Sequence, residues 1–306
     1  MSQRSAVAAT SSIVGFTRGR PGVGLALIVL MSIAVPAFLA PVIAPQNPFD
    51  LAGFDIMDAE LPPAWLEGGD QRFPLGTDAQ GRDLLSAILY GARISLQIGI
   101  LAVLIQASIG ITLGLLAGYF GGRTDVIITR LADIQLALST LMMAIVVMAL
   151  VRASLGGEAL SAFAVPLLVI VIGLAEWPIF ARTARSAVLV EATKDYVRAA
   201  RAVGGSDITI LRRHILPNSV SPLIILATTQ VAGAIMAEAA LSFLGLGMPV
   251  TQPSLGTLIR SGYDLIFAGS WWVTVLPGLV LVALLISINV LGDGLRDFLD
   301  PRRSTG

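Results

Sequence analysis

Few side chains in this chain could do covalent or metal chemistry. His214 is the only histidine, Lys194 the only lysine, and cysteine is absent from all 306 residues. Disulfides, thiolate metal sites and cysteine nucleophiles are therefore excluded. One imidazole leaves too few donors for a histidine-based metal site or triad. A phosphate-binding P-loop needs Gly-Lys followed by Ser or Thr, and Lys194 stands between Thr193 and Asp195. The chain does not hydrolyse ATP by that route.

The groups that remain are arginines, acids and scattered amides. Arg198, Arg201, Arg212 and Arg213 crowd the stretch DYVRAARAVGGSDITILRRHILPN, residues 195–218. Thr228, Thr229, Gln230 and Glu238 interrupt an apolar run. Polar groups inside such a run are costly unless they face a protein interior or water. Two readings stand for them: a lining of a translocation path, or partners in helix–helix contacts. Glu238 lies about 27 Å along a helix from Val220, near the outer mouth. Glu176, beside Trp177-Pro178, reads as an inner-end structural residue, and Asn289 as a bond between helices. Gly110 and Gly114 are four apart and favour close helix packing.

The elements that carry these residues are apolar helices. Hydrophobic residues make up 55% of the chain, charged residues 13%, and the mean hydropathy is +0.83. A soluble domain averages about 25% charged residues, so the composition is that of a membrane protein. Six runs reach the length of about 20 apolar residues that a bilayer requires: 23–44, 96–120, 134–152, 162–180, 220–244 and 273–292. The first exceeds a secretory signal's apolar region of about 7–15 residues. It reads as an uncleaved anchor, although Val42-Ile43-Ala44 would pass as a cleavage site. No internal repeat or low-complexity tract is evident. The expected order is a tail at 1–22, the first span at 23–44, an outer loop at 45–95, a five-span core at 96–292 with an insert at 181–219, and a tail at 293–306.

With the amino terminus inside, fifteen Lys and Arg residues fall on inner segments and five on outer ones. That bias places both termini and the insert in the cytoplasm. The outer loop carries eight acids: Asp50, Asp55, Asp58, Glu60, Glu67, Asp70, Asp78 and Asp83. It reads either as a solvated connection or as a docking surface.

The insert is too polar to span and too patterned to be slack. Tyr196, Ala199, Ala200 and Val203 share one helical face, with Lys194, Arg198 and Arg201 opposite. Gly204-Gly205 can take positive φ and stop that helix. Ser206 or Asp207 can cap a second short helix, striped by Ile208, Leu211 and Ile215. Pro217 is expected to end it before the next span. Two short helices at an angle, joined by glycine, result. They either lie on the inner membrane surface or dock into another protein's groove.

The insert resembles the cytoplasmic coupling motif of ABC-importer permeases: Glu-Ala-Ala, three residues, Gly, nine residues, Ile, one residue, Leu-Pro. Ala199-Ala200, Gly204, Ile215 and Leu216-Pro217 supply the pattern, with Arg198 at the glutamate and His214 at the first isoleucine. FPLGTDAQGRDLLSAILYGARISLQIG (73–99), AEAALSFLGLG (237–247), PSLGTLI (253–259) and PGLVLVALLISINVLGDGLRDFLDPR (277–302) are similar to the dipeptide/oligopeptide/nickel branch, in its C-type, second permease subunit. Phe73 stands where that branch commonly has His, Ala87 where it has Arg, Leu255 at a usual Trp and Ser139 at a frequent Pro.

The resemblance implies an all-α membrane protein with six transmembrane helices and the type I ABC-importer permease fold, carrying a coupling-helix hairpin. It implies a multi-pass subunit of the bacterial inner membrane that imports peptides or related small solutes. The partners would be a second homologous permease, two cytoplasmic ATPases, an extracytoplasmic solute-binding protein and the lipid bilayer, not nucleic acid. ATP and Mg would sit on the ATPases, with no cofactor on this chain and no enzymatic step of its own. Ala199, Ala200, Gly204, Leu216 and Pro217 would meet the ATPase, with Arg212 and Arg213 at the rim. A self-sufficient secondary transporter or a membrane scaffold are the competing classes. The first would usually show inverted repeats, and the second would leave uptake unaffected when lost.

Overall fold

A computed structural model describes residues 20–50 and 55–299, with the side chains of 152 and 155–162 outside that description. The tails expected at 1–22 and 293–306 fall largely outside it. Among the described residues the chain is helical, with one isolated bridge between Thr77 and Asp83.

The first helix, α1, runs Pro21–Phe38, opening on a proline whose missing N–H no helix needs at that point. A short α2, Ala40–Ile43, follows. The long α3, Leu84–Phe120, starts where the Asp83 carboxylate accepts from the Ser86 N–H at 2.8 Å. It stops at Gly121, whose φ of +63° breaks the helix. Next come α4, Gly122–Ala137, α5, Thr140–Ala175, and α6, Trp177–Glu191.

A straight helix would hold Met143 and Ala175 about 48 Å apart. Instead the Gln135 amide donates to both the Met143 sulfur and the Ala175 carbonyl, at 3.2 Å each. The chain therefore doubles back within α5. The two halves of α5 extend α4 and α6 respectively, giving one span bent by 83° and another bent by 43°. With these bent pairs, six spans form among the described residues.

Beyond α6 lie α7, Asp195–Ala202, and α8, Asp207–Ile210. A π-helical turn at Leu211–Ile215 leads into α9, Leu216–Phe243. Then come α10, Leu255–Tyr263, and α11, Trp272–Leu299. The break expected at Pro217 does not occur. The proline sits in the first turn of α9, where its lost N–H is tolerated, and the wider π turn before it absorbs the ring.

Two apolar clusters share α3 and α9. One joins Ile98 of α3, Met148 and Leu168 of α5, Phe180 of α6 and Leu241 of α9. The other joins Ala37 of α1, Leu84 of α3, Ile235 of α9, Leu255 of α10 and Leu284 of α11. Against α6, α3 comes backbone to backbone. A Cβ at Gly110 would lie 2.4 Å from the Trp177 carbonyl oxygen, and one at Gly114 would lie 2.4 Å from that of Ala181. Leu25, Ile28, Leu104 and Leu150 remain exposed, as apolar residues facing lipid would be.

The loop ahead of α3 folds onto one end of the bundle. Arg82 and Asp78, each with 1% of its side chain exposed, form an ion pair of 2.6 Å. Arg82 Nη1 also donates to the Val250 carbonyl at 2.8 Å. Trp272 Nε1 donates to the Thr77 carbonyl, and Ser270 Oγ to Glu60. The acids of this loop are mostly engaged. Asp83 caps α3, Asp55 caps a turn at Ile56–Asp58, and Asp58 and Asp70 pair with Arg72.

Candidate functional site

The polar insert forms a hairpin of α7, a glycine turn and α8. Gly204 carries φ of +87°, the left-handed region that costs a residue with a Cβ about 1–2 kcal/mol. Only Gly204 of the pair has positive φ. The Gly204 and Gly205 amides close the turn onto the Arg201 and Ala200 carbonyls. Ser206, the first of the two expected caps, accepts from the Thr209 N–H at 3.4 Å.

The root of the hairpin is apolar. Val197, Ile210, Leu211 and Ile215 bury themselves with Val188 of α6, and Leu115 and Tyr119 of α3 pack on them. The inward residue of α7 is therefore Val197, which the sequence pattern did not single out. Tyr196, Ala199 and Val203 face outward and are exposed, with Ala200 half-buried. Ile208, expected in the stripe of α8, is exposed as well, because Ile210 takes the inward position. Around Gly204 a Cβ would meet nothing within 4 Å. Arg212, Arg213 and Pro217 are exposed, and Leu216 is half-buried.

Polar contacts hold this root in place. Tyr119 Oη donates to Asp207 Oδ1 at 2.6 Å, and the Arg201 guanidinium lies 5.2 Å from the centre of the Tyr119 ring. One side chain of α3 thus engages both hairpin helices. The Tyr196 hydroxyl donates to Glu191, which also takes the Lys194 ammonium at 2.6 Å. Burial and the Glu191 hydrogen bond push the Tyr196 hydroxyl up to about 12, so it remains a donor at cellular pH. Arg198 donates to the Thr193 carbonyl, so the position of the motif's glutamate serves here to close the entry to α7.

Inside the bundle the path candidates separate. Thr228 and Thr229 donate to carbonyls of their own helix, and Thr228 packs on Gly292 of α11. Asn289 likewise bonds its own helix, at Leu285, and not a neighbour. Glu238 is fully buried and accepts from Ser95 at 2.7 Å and Ser242 at 2.6 Å. It clamps α9 to α3.

Gln230 instead joins a polar centre. Its Nε2 donates to Glu176 Oε2 at 2.8 Å and lies 3.5 Å from Gln106 Oε1. Buried Gln106 donates in turn to the Ile172 carbonyl at 3.2 Å. Gln106 was visible in the sequence as a lone amide in an apolar run. Gln135 carried the same signal in the run 134–152, and Tyr119 carried none.

A polytopic helical bundle with two bent spans and a jointed polar hairpin has the architecture of a transporter's membrane component. The family described as "Binding-protein-dependent transport system inner membrane component" matches residues 110–305. The chain is 39% identical to the dipeptide transport system permease protein DppC of Haemophilus influenzae, over 92% of this chain and 90% of that one. It is 42% identical to the di/tripeptide transport system permease protein DppC of Pseudomonas aeruginosa, over 90% and 86%. It is 36% identical to the glutathione transport system permease protein GsiD of Pectobacterium atrosepticum, over 94% and 89%. An inward-facing MetNI methionine ABC transporter structure shares the fold, with a TM-score of 0.56 and 18% identity over 71% of this chain and 98% of that one. The chain belongs to the binding-protein-dependent transport system inner membrane component family, as a permease of the dipeptide/oligopeptide branch.

Proposed function

We propose that the hairpin seats in an ATPase subunit and carries its motion into the spans of a peptide importer. The observation that carries this reading is the split character of the hairpin. One side is locked to α3 and α6 by an apolar root. The other presents Ala199 and Val203 exposed, with open space around Gly204. Small side chains let another backbone approach, and Arg212 and Arg213 can pair with acids at the rim.

Relatives named for dipeptides, di/tripeptides and glutathione support short peptides as cargo. The bias of arginines supports cytoplasmic termini. The partners in this reading are a second permease, two ATPases holding ATP and Mg, and a solute-binding protein on the outer loop. Ile56 and Met57, 84% and 87% exposed on the folded loop, are the contacts we assign to that last partner.

Cysteines placed at Ala199 and Gly204 in membranes from transporting cells should cross-link to an ATP-hydrolysing subunit. Reaction with lipid alone would overturn the reading.

A further inference from the structure

Two broken spans meet inside this bundle. One break follows Ala137 and the other falls at Glu176. Gln135, beside the first, donates to the Ala175 carbonyl at the second. Gln106 and Gln230 close the same centre from α3 and α9. Glu176, read from the sequence as an inner-end residue, is instead near the middle of the bent span Phe163–Glu191 because the span continues through α6, and Gln230 is at the middle of α9. Broken helices that put polar groups at the bilayer midplane are a recurrent way to build a transport site.

The hydrogen-bond direction in this centre is one-sided. The Gln106, Gln135 and Gln230 amide nitrogens all donate to acceptors within the chain. Glu176 Oε1, Gln135 Oε1 and Gln230 Oε1 accept nothing from the described residues. Glu176 is half-buried and forms no ion pair among the described residues. A carboxylate at mid-membrane without a cation is expensive. The missing partner is a cation that donates several hydrogen bonds and accepts none. A primary ammonium has that character.

We propose that Glu176, oriented by Gln230 and Gln106, binds the free amino terminus of a short peptide as it crosses the membrane. This rests on the peptide-importer reading above. The site offers a negative charge and amide oxygens near the middle of two spans. Glu176 faces the cargo, while Gln106 acts through Gln230 as a positioning residue.

The substitution Glu176→Gln separates charge from structure, because the new amide oxygen can still accept from Gln230. The complete transporter is reconstituted in proteoliposomes with saturating binding protein and a lysine-free dipeptide. Peptide imported per ATP hydrolysed should fall about ten-fold, the order expected for one hydrogen bond to a charged group. ATP hydrolysis should persist. The exchange Glu176→Gln with Gln230→Glu returns the charge to the same centre and should restore import. Import by Glu176→Gln at the wild-type ratio would overturn the proposal. So would loss of assembly with the second permease alongside a normal ratio in the complexes that form, since the carboxylate would then serve the subunit interface. Absence of dipeptide uptake by the wild-type complex would instead refute the peptide-importer reading on which it stands.

Discussion

Tyr119 and Asp207, 88 residues apart in the chain, meet at 2.6 Å where the end of α3 touches the hairpin. In the proposed coupling, this contact makes α3, and not only α9, a route for hairpin motion into the bundle. Tyr119→Phe keeps the ring and its contact with Arg201 but removes the hydrogen bond. A hydrogen bond of this kind contributes about 1 kcal/mol, or roughly five-fold in an equilibrium. Solute imported per ATP hydrolysed should fall by up to that factor in proteoliposomes. Cross-linking of the hairpin to the ATPase should be unchanged.

Gly204 has positive φ with open space around it. Gly204→Asp places a side chain and a charge on the free face and strains the turn. Insertion and assembly of the spans should survive, because the buried root does not include residue 204. Transport should be abolished, together with ATP hydrolysis stimulated by binding protein. Wild-type uptake by the variant would count against docking.

Arg82 and Asp78 form a buried ion pair in the loop ahead of α3. Arg82→Ala leaves the Asp78 carboxylate without its cation and removes a bond to Val250. Breaking a buried pair in this way destabilises by about 3–5 kcal/mol. Thermal unfolding in detergent should show a lower midpoint and earlier exposure of Trp272, whose indole bonds the same loop.

Ile56 and Met57 project from a turn capped by Asp55. Replacing both with serine should leave the loop folded, since neither is part of its core. Binding of the solute-binding protein to the assembled transporter should weaken, as titration against immobilised complex would register. Deleting 55–70 outright is a poorer probe, because Glu60 and Leu61 hold the loop to Ser270 and Thr77.

The span count, the hairpin and the Ser206 cap were all legible in the sequence, because each is written in short-range patterns. Apolar runs report length against bilayer thickness, and Gly, Ser and Pro report local backbone preference. The errors have the same origin. Pro217 reads as a stop, yet the π turn ahead of it carries the chain through. Ile208 reads as part of the apolar stripe of α8, yet it is exposed and Ile210 is buried instead. Helical period reveals which residues share a face, but not which face meets the rest of the chain.

Composition and order alone determined that this is a multi-span membrane protein with a jointed polar insert, and the resemblance of its motifs added the importer-permease class. The tertiary structure decided what lies inside it. Gln106, Gln135, Glu176 and Gln230 come from four separated helical segments, and they converge only because two spans break and α5 doubles back. Local pattern cannot encode that meeting, since it depends on how far each helix bends and which neighbours it crosses. Glu238 and Glu176 look alike in the sequence as lone acids in apolar surroundings. Packing closes serines around the first and leaves an oxygen of the second without a donor among the described residues.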